Sequence, residues 1–167
     1  NAFTFTYDPD WSCYTIQDSY GRYLYSSMQS DGVTPYRTIS VAESTPAADD
    51  ENLAYYMWTV YNNGDGTYDV YNCATYYSIT YSASYNNWEI YDPYAEGFAN
   101  LFPALVKADN PVEEPSLGGK FTKVTAEQTD WSGKYLIVFG DMAHASLTNK
   151  DLNATASVEV VNDVIEA

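Results

Sequence analysis

A short segment between residues 85 and 92 carries the residue types best suited to binding a sugar. It contains Tyr85, Asn86, Asn87, Trp88, Tyr91 and Asp92. Trp88 and Tyr91 offer flat aromatic faces, on which the apolar face of a pyranose ring can pack. The amides and the carboxylate can hydrogen-bond to sugar hydroxyls. The segment therefore predicts a glycan-binding surface; the alternative is that Trp88 is a core or hairpin residue.

Groups capable of acid–base or nucleophilic catalysis are present, but their spacing indicates no catalytic site. Close carboxylate pairs are typical of solvated charge in an acidic chain; they are Asp8 and Asp10, Asp49 and Asp50, and Glu113 and Glu114. His144 is the only histidine, and no serine lies in a nucleophile elbow. We therefore predict that the chain is not an enzyme, since an enzyme would need a cleft of convergent polar groups that the sequence does not reveal.

The cysteines and the acidic turns bear on disulfide and metal chemistry. Cys13 and Cys73 permit one disulfide, which would close a loop of about 60 residues. Two cysteines and one histidine lack the spacing of a zinc site. Residues 63–69 superficially match a calcium loop but lack its alternating oxygen ligands and distal Glu, so a hairpin turn is favoured. We predict no cofactor or metal site, while adventitious binding of Ca²⁺ by the acidic surface stays open.

Composition limits the classes of partner. The chain has 167 residues, of which 23 are acidic and 7 basic, so its formal net charge is −16. Such a charge excludes non-specific binding to nucleic acid, because neutralising phosphates requires Lys and Arg. No apolar stretch approaches the roughly 20 residues that a membrane-spanning helix needs. Because the chain begins at Asn1 without an initiator Met, we expect a mature or excised fragment.

The 18 tyrosines and 4 tryptophans suggest a secreted or cell-surface protein. Tyrosine forms strands well and combines an apolar body with a polar tip. Two interpretations stay open: the rings cover the thin core of a small β-domain, or they form a carbohydrate-binding or adhesive surface.

Most of the chain shows the sequence patterns of β-strands, so strands must position these candidate residues. Alternation and turn signals predict strands near 3–7, 14–17, 22–25, 56–61, 67–71, 76–81, 88–91, 101–107, 121–124 and 133–139. Residues 42–52 read as an exposed acidic loop, and the best helix candidate, 98–105, is interrupted by Pro103. The chain is therefore expected to be all-β.

Weak internal repetition favours a β-trefoil-like barrel of short strands and hairpins. The triplet at residues 10–12 recurs at 130–132, and residues 21–25 resemble 133–137. Residues 76–79 form a degenerate third copy, at intervals of roughly 55 residues that fit threefold pseudo-repeats. A β-sandwich is the alternative.

A linker rich in proline, glycine and carboxylates divides the chain. It covers residues 109–120 and separates a β-rich body, 1–108, from a β-segment, 121–167. The segment is expected to complete the same domain or one in a neighbouring subunit. The second arrangement would give a head-to-tail homo-oligomer joined by β-strand exchange.

Several segments together resemble a β-rich accessory domain that is appended to secreted and surface proteins of gut Bacteroidetes. The resemblance rests on residues 14–25, 58–60, 64–68 and 76–79, and residues 130–138 look like the segment that begins such a domain. The order of the segments is therefore permuted here. The resemblance implies a bacterial, extracellular, non-catalytic accessory role and names no ligand.

These observations predict a non-enzymatic extracellular accessory or adhesion module that binds a glycan or another surface polymer. The alternative is a self-assembling fibre or surface-structure subunit whose copies are joined head-to-tail by strand exchange.

Overall fold

The computed structural model describes residues 2–108 and 120–139, together with four short strands at 146–149, 154–157, 159–161 and 164–166. Its fifteen strands are β1 (Phe3–Asp8), β2 (Cys13–Gln17), β3 (Tyr23–Tyr25), β4 (Ser40–Ala42), β5 (Trp58–Asn62), β6 (Tyr68–Asn72), β7 (Ser78–Ser82), β8 (Asn87–Tyr91), β9 (Pro103–Ala108), β10 (Lys120–Lys123), β11 (Gly133–Phe139), β12 (Ser146–Asn149), β13 (Ala154–Ser157), β14 (Glu159–Val161) and β15 (Val164–Glu166).

The strands form one large antiparallel sheet in the order β14-β15-β10-β9-β11-β1-β2-β5-β6-β7-β8, with β3 on β2 and β4 on β3. β12 and β13 pair separately. The prediction of an all-β chain is confirmed. The sheet is open, however, and the finer prediction of a trefoil-like barrel is not shown.

The C-terminal segment contributes a central strand to this sheet. β11 lies between β1 and β9, with Tyr135 opposite Phe3 and Leu136 opposite Val106. β10 pairs with the other side of β9. The strands on both sides of the predicted linker therefore share one sheet within the chain; residues 109–119 lie outside the described residues.

The inner face of the sheet carries the core. Its largest fully buried side chains are Trp58, Tyr68, Tyr135 and Phe5. Two of them hydrogen-bond to the backbone: Trp58 Nε1 donates to Leu24 O at 3.1 Å, and Tyr68 OH donates to Val124 O at 2.9 Å. Tyr135 OH is buried without a hydrogen-bond partner among the described residues. Because Tyr68 also meets Trp131 edge-on, with centroids 5.1 Å apart, the C-terminal segment is part of this core.

The strand pairs of the sheet are not equally extensive. β1 and β2 pair from Thr4↔Gln17 to Asp8↔Cys13. β2 and β5, by contrast, share the single register pair Tyr14↔Trp58. The sheet therefore has a thin seam between β2 and β5.

Two local expectations are corrected. Residues 98–105 contain no helix; Pro103 opens β9, at a first strand position where its missing N–H is tolerated. A short 3-10 helix forms instead at Glu51–Tyr56, at the end of the predicted loop. Asp50 caps it, accepting a hydrogen bond from Asn52 N at 2.9 Å. Among the described residues, no helix is long and apolar enough to cross a membrane.

Candidate functional site

The predicted binding segment forms the β7–β8 hairpin, and its two central rings lie on opposite faces of the sheet. Trp88 is 9% exposed and meets Tyr81 edge-on, with the ring centroids 5.6 Å apart. Tyr91 is three positions further along β8 and therefore faces the other side. Trp88 thus belongs to the core, and the expectation that it offers an open face is corrected.

Tyr91 belongs to a group of side chains that we call the covered cluster: Arg37, Glu89, Tyr91, Phe98 and Asn100. Arg37 Cζ lies 4.0 Å from the centroid of the Tyr91 ring, and Phe98 stacks on the same ring at 6.1 Å. The buried Glu89 carboxylate accepts hydrogen bonds from Arg37 Nη2 at 2.6 Å and Nε at 3.1 Å. It also accepts one from Asn100 Nδ2 at 2.7 Å. The ring and the carboxylate are therefore engaged within the fold.

The remaining predicted residues are mostly used by the hairpin itself. Asn86 has a left-handed backbone (φ 52°) and accepts a hydrogen bond from Tyr81 OH. Asp92 Oδ1 accepts one from Tyr94 N at 2.9 Å. Asn87 Oδ1 is shielded and makes no hydrogen bond within the described part of the chain. Tyr85 is exposed at the tip. The six predicted residues thus share a hairpin without forming one surface.

A second set of rings lies open on the outer face of the β5–β6 pair, and we call it the tyrosine row: Tyr61, Tyr71 and Tyr76. Tyr61 and Tyr71 are nearly parallel, at 8°, with centroids 5.4 Å apart. Tyr76 continues the row at 6.4 Å and 24° from Tyr71. Tyr61 is 52% exposed and Tyr76 66% exposed. Tyr61 and Tyr76 therefore face solvent on either side of Tyr71, which is half-buried and whose OH lies 3.5 Å from Tyr61 OH.

The β5–β6 hairpin fixes two of these rings. Residues 63–67 form its turn, in which Gly66 has a φ of 89° that suits glycine. Val60 pairs with Val70, and both side chains enter the core. Because successive strand residues point to opposite faces, Tyr61 and Tyr71 point outward.

A buried asparagine fixes the third ring. Asn72 Oδ1 accepts hydrogen bonds from Ala74 N and Thr75 N, each at 3.1 Å, and Asn72 Nδ2 donates to Tyr55 O at 2.7 Å. The turn that follows β6 holds Tyr76 at a φ of 59°, which is unfavourable for an aromatic residue. Such strain persists where the surroundings enforce it, and it is frequent at binding sites.

Asp69 lies beside the row, directly opposite Tyr61 in the β5–β6 pair. Its side chain is half-buried, and its Oδ1 makes no hydrogen bond to any described residue. Burial raises the pKa of this carboxyl above its usual value. This oxygen is shielded from solvent, so it is a buried unpartnered acceptor and not one that is open to a ligand.

The two cysteines meet on this same face. Cys13 Sγ and Cys73 Sγ are 2.8 Å apart, and each is 3.4 Å from Thr59 Oγ1. Both thiols are free here. Burial raises the pKa of Cys73, which keeps its reactive thiolate scarce. The two thiols are therefore adjacent but unbonded, and the disulfide stays a prediction.

The predicted turn at residues 63–69 uses its oxygen atoms internally. Asp65 Oδ1 accepts hydrogen bonds from Thr67 N at 2.9 Å and Thr67 Oγ1 at 2.6 Å. Asn62 Oδ1 accepts one from Gly64 N at 2.8 Å. These contacts are those of a hairpin turn. Within the described ranges no three His, Cys, Asp or Glu side chains are grouped as a metal site would require. His144 and the pair Glu113 and Glu114 lie outside the described residues.

The sequence did contain a signal for the tyrosine row. The turn at residues 63–67 fixes the register of the strands on either side, and this register places Tyr61 and Tyr71 on one face. Tyr76 could not be added in this way, because its position depends on the turn that Asn72 holds.

Comparison of the chain with models of protein families, with curated proteins and with solved structures finds no match. The resemblance to the Bacteroidetes accessory domain therefore stays a prediction.

Proposed function

We propose that this chain is a non-enzymatic, secreted or cell-surface module of a bacterium that binds a glycan through the tyrosine row. The observation that carries the proposal is the stacked alignment of Tyr61, Tyr71 and Tyr76, in which the two outer rings are exposed and the central one is half-buried. Most large apolar side chains exposed elsewhere on the described surface are also tyrosines, but the row is the set that is ordered by stacking.

The chemistry of a pyranose suits this surface. Its C–H face is apolar and packs on an aromatic ring, while its hydroxyls project to the sides. We assign the second carboxylate oxygen of Asp69, a partly exposed residue opposite Tyr61, as the acceptor for such hydroxyls. The rings are already held by the β5–β6 pair and by the turn that follows it, so little side-chain freedom is lost when a ligand binds.

The net charge of the chain limits the class of glycan that it can bind. With a formal net charge of −16, the chain repels polyanions such as uronic-acid or sulfated polysaccharides. We therefore propose a neutral glycan as the ligand.

Calorimetric titration with soluble neutral, acidic and basic polysaccharides tests the proposal. We expect saturable binding to a neutral glycan, and a loss of affinity of about tenfold or more for Tyr76→Ala, as expected when one stacking contact of about 1.4 kcal/mol is removed. Tyr94→Ala is the matched control, because Tyr94 is 88% exposed and lies outside the row. Undiminished affinity in a folded Tyr76→Ala variant would sink the assignment to the row, and no binding to any glycan would sink the function.

The alternative function, a fibre subunit joined by strand exchange, is favoured by one observation, the central position of β11. β11 fills the gap between β1 and β9, and the predicted linker separates it from the body. The same strand supplied by a neighbour would make the same register pairs. Light scattering from micromolar solutions tests it: growth of the mean mass with concentration supports exchange, and a constant monomer mass excludes it.

A further inference from the structure

The thiols of Cys13 and Cys73 lie across a thin seam of the sheet, the one between β2 and β5. Cys13 is the first residue of β2, and Cys73 directly follows β6. β5 lies between these two strands. β5 is paired with β6 from Trp58↔Asn72 to Asn62↔Tyr68 but with β2 only at Tyr14↔Trp58. A link between the two sulfurs would therefore cross β5 and close the seam.

The backbone already holds the two sulfurs in place. Cys73 N donates to Met57 O at 2.9 Å, and Cys13 pairs with Asp8 in the β1–β2 ladder. Thr59 of β5 lies beside both sulfurs, with its Oγ1 3.4 Å from each of them. The separation of 2.8 Å is less than 1 Å longer than a sulfur–sulfur bond of about 2.05 Å. Oxidation therefore requires no rearrangement of strands.

We propose that Cys13 and Cys73 form a disulfide that staples β2 to β6 across β5. In the reaction, the thiolate of one cysteine attacks the disulfide of oxidised glutathione, forms a mixed disulfide and releases one glutathione thiolate. The second cysteine then attacks the mixed disulfide, forms the intrachain bond and releases the second glutathione. The two thiol protons pass to the released glutathione molecules, so two protein thiols are oxidised as one glutathione disulfide is reduced.

The staple also bears on the tyrosine row. Cys73 lies two positions after Tyr71 and faces the same side, with the buried Asn72 between them. Fixing Cys73 therefore restrains the end of β6 from which Tyr71 and Tyr76 project. This effect on ligand binding rests on the proposed function, whereas the disulfide itself does not.

The bond is tested by equilibrating the full reduced chain in a glutathione buffer near −200 mV, a potential typical of an oxidising compartment. The readouts are intact mass and thiol titration under denaturing conditions. The chain has only two cysteines, so we expect the titratable thiols to fall from two to none and the mass of the monomer to decrease by two hydrogen atoms. Two thiols that still titrate, or a disulfide-linked dimer, would overturn the proposal.

The staple is tested by thermal unfolding of the oxidised and reduced wild-type chain. A bond across a 60-residue separation should raise Tm on the order of 10 °C. Cys13→Ala and Cys73→Ala are matched controls whose Tm should not respond to the buffer potential. Equal Tm values for oxidised and reduced wild type would overturn the stabilising role of the disulfide even if the bond forms. This comparison uses wild type alone, so it remains valid if one of the alanine variants fails to fold.

Glycan titration in the two redox states separates this proposal from the proposed function. Tighter binding in the oxidised state supports the link between the staple and the row, and equal affinity in both states removes that link. A chain that oxidises and gains thermal stability but binds no glycan overturns the function and supports the staple.

Discussion

The covered cluster and the tyrosine row use the same kind of ring on neighbouring strand pairs, but their surroundings differ. In the covered cluster, Tyr91 contacts a guanidinium and a phenyl ring, and the carboxylate beneath it has its hydrogen bonds filled. In the tyrosine row, the rings contact mainly each other, and the neighbouring Asp69 keeps one oxygen unbonded. Aromatic residues therefore indicate a binding surface here only when their neighbours leave faces and polar atoms unused.

The largest expected effect is the loss of stability when Arg37 is removed from the covered cluster. Arg37→Ala leaves the buried Glu89 carboxylate without its bidentate partner. Because the Arg37 side chain is 45% exposed and Asn100 still donates to Glu89, the free energy of unfolding should fall by about 2 kcal/mol. Urea denaturation measures this loss. The double variant Arg37→Ala/Glu89→Gln is the control and should recover part of it, because no buried charge is left. An Arg37→Ala chain as stable as wild type would mean that the ion pair is not structural.

The next largest effect is a loss of glycan affinity when a ring of the tyrosine row is removed, in comparison with a ring of the covered cluster. Tyr61→Ala should weaken glycan binding by roughly tenfold, or about 1.4 kcal/mol, because it removes an open ring. Tyr91→Ala should leave the affinity unchanged in a chain that remains folded. Both are measured by calorimetric titration. The reverse result, loss with Tyr91→Ala alone, would move the site to the β7–β8 hairpin that the sequence predicted.

The unbonded oxygen of Asp69 should lower the free energy of unfolding by about 1 kcal/mol, as is typical of a polar group that is buried without a partner. Because the native pKa of Asp69 is raised, the native chain holds its proton more tightly than the unfolded chain, and stability falls as pH rises from about 3.8 through the native pKa. Asp69→Asn should therefore be more stable than wild type at pH 7 and lose this advantage near pH 3.

The same substitution should weaken glycan binding, because an amide oxygen is a poorer acceptor than a carboxylate. Denaturation at several pH values and titration at pH 7 measure the two effects. An Asp69→Asn variant whose stability and glycan affinity both equal those of wild type would show that Asp69 is an ordinary surface carboxylate.

The smallest effect concerns the backbone at Tyr76. Since glycine tolerates a φ of 59° and alanine does not, Tyr76→Gly should be more stable than Tyr76→Ala by about 0.5–1 kcal/mol. Both variants should lose binding equally, because both lack the ring. Urea denaturation of the pair measures the difference, and equal stabilities would show that the turn relaxes when the ring is removed.

Local sequence patterns predicted most strands but not their surroundings. The hairpin around residues 63–67 follows from its turn residues and from alternation in the strands on either side. Trp88 and Tyr91 satisfy the same alternation, and the sequence could not show that Arg37 and Phe98, 54 and 7 positions from Tyr91, would cover one of them. Burial at such separations is set by tertiary packing, which short patterns do not encode.

The repeated triplets show a related limit. Trp11 is exposed in the first copy, whereas Trp131 is buried against Tyr68 in the second. Similar local sequence therefore has different environments in the two copies, and the inferred threefold repeat did not predict the open sheet. The central position of β11 likewise depends on pairing between distant segments. The sequence predicted the strand and a segment that completes a domain in the same chain or in a neighbour, but not its place between β1 and β9.

That central strand ties folding to the order of synthesis. Tyr7 N reaches Ser132 Oγ at 3.3 Å across 125 positions of chain, so β1 must wait for residues made much later. At translation rates of about 5–20 residues per second, this wait lasts on the order of ten seconds. During this wait the edge of β1 that β11 will cover is open to wrong partners and to proteases, and the facing edge of β9 is open for the last part of it, once β9 has been made. A chain that ends before residue 133 would lack β11 and would leave both edges unpaired, a target for aggregation and for proteolysis.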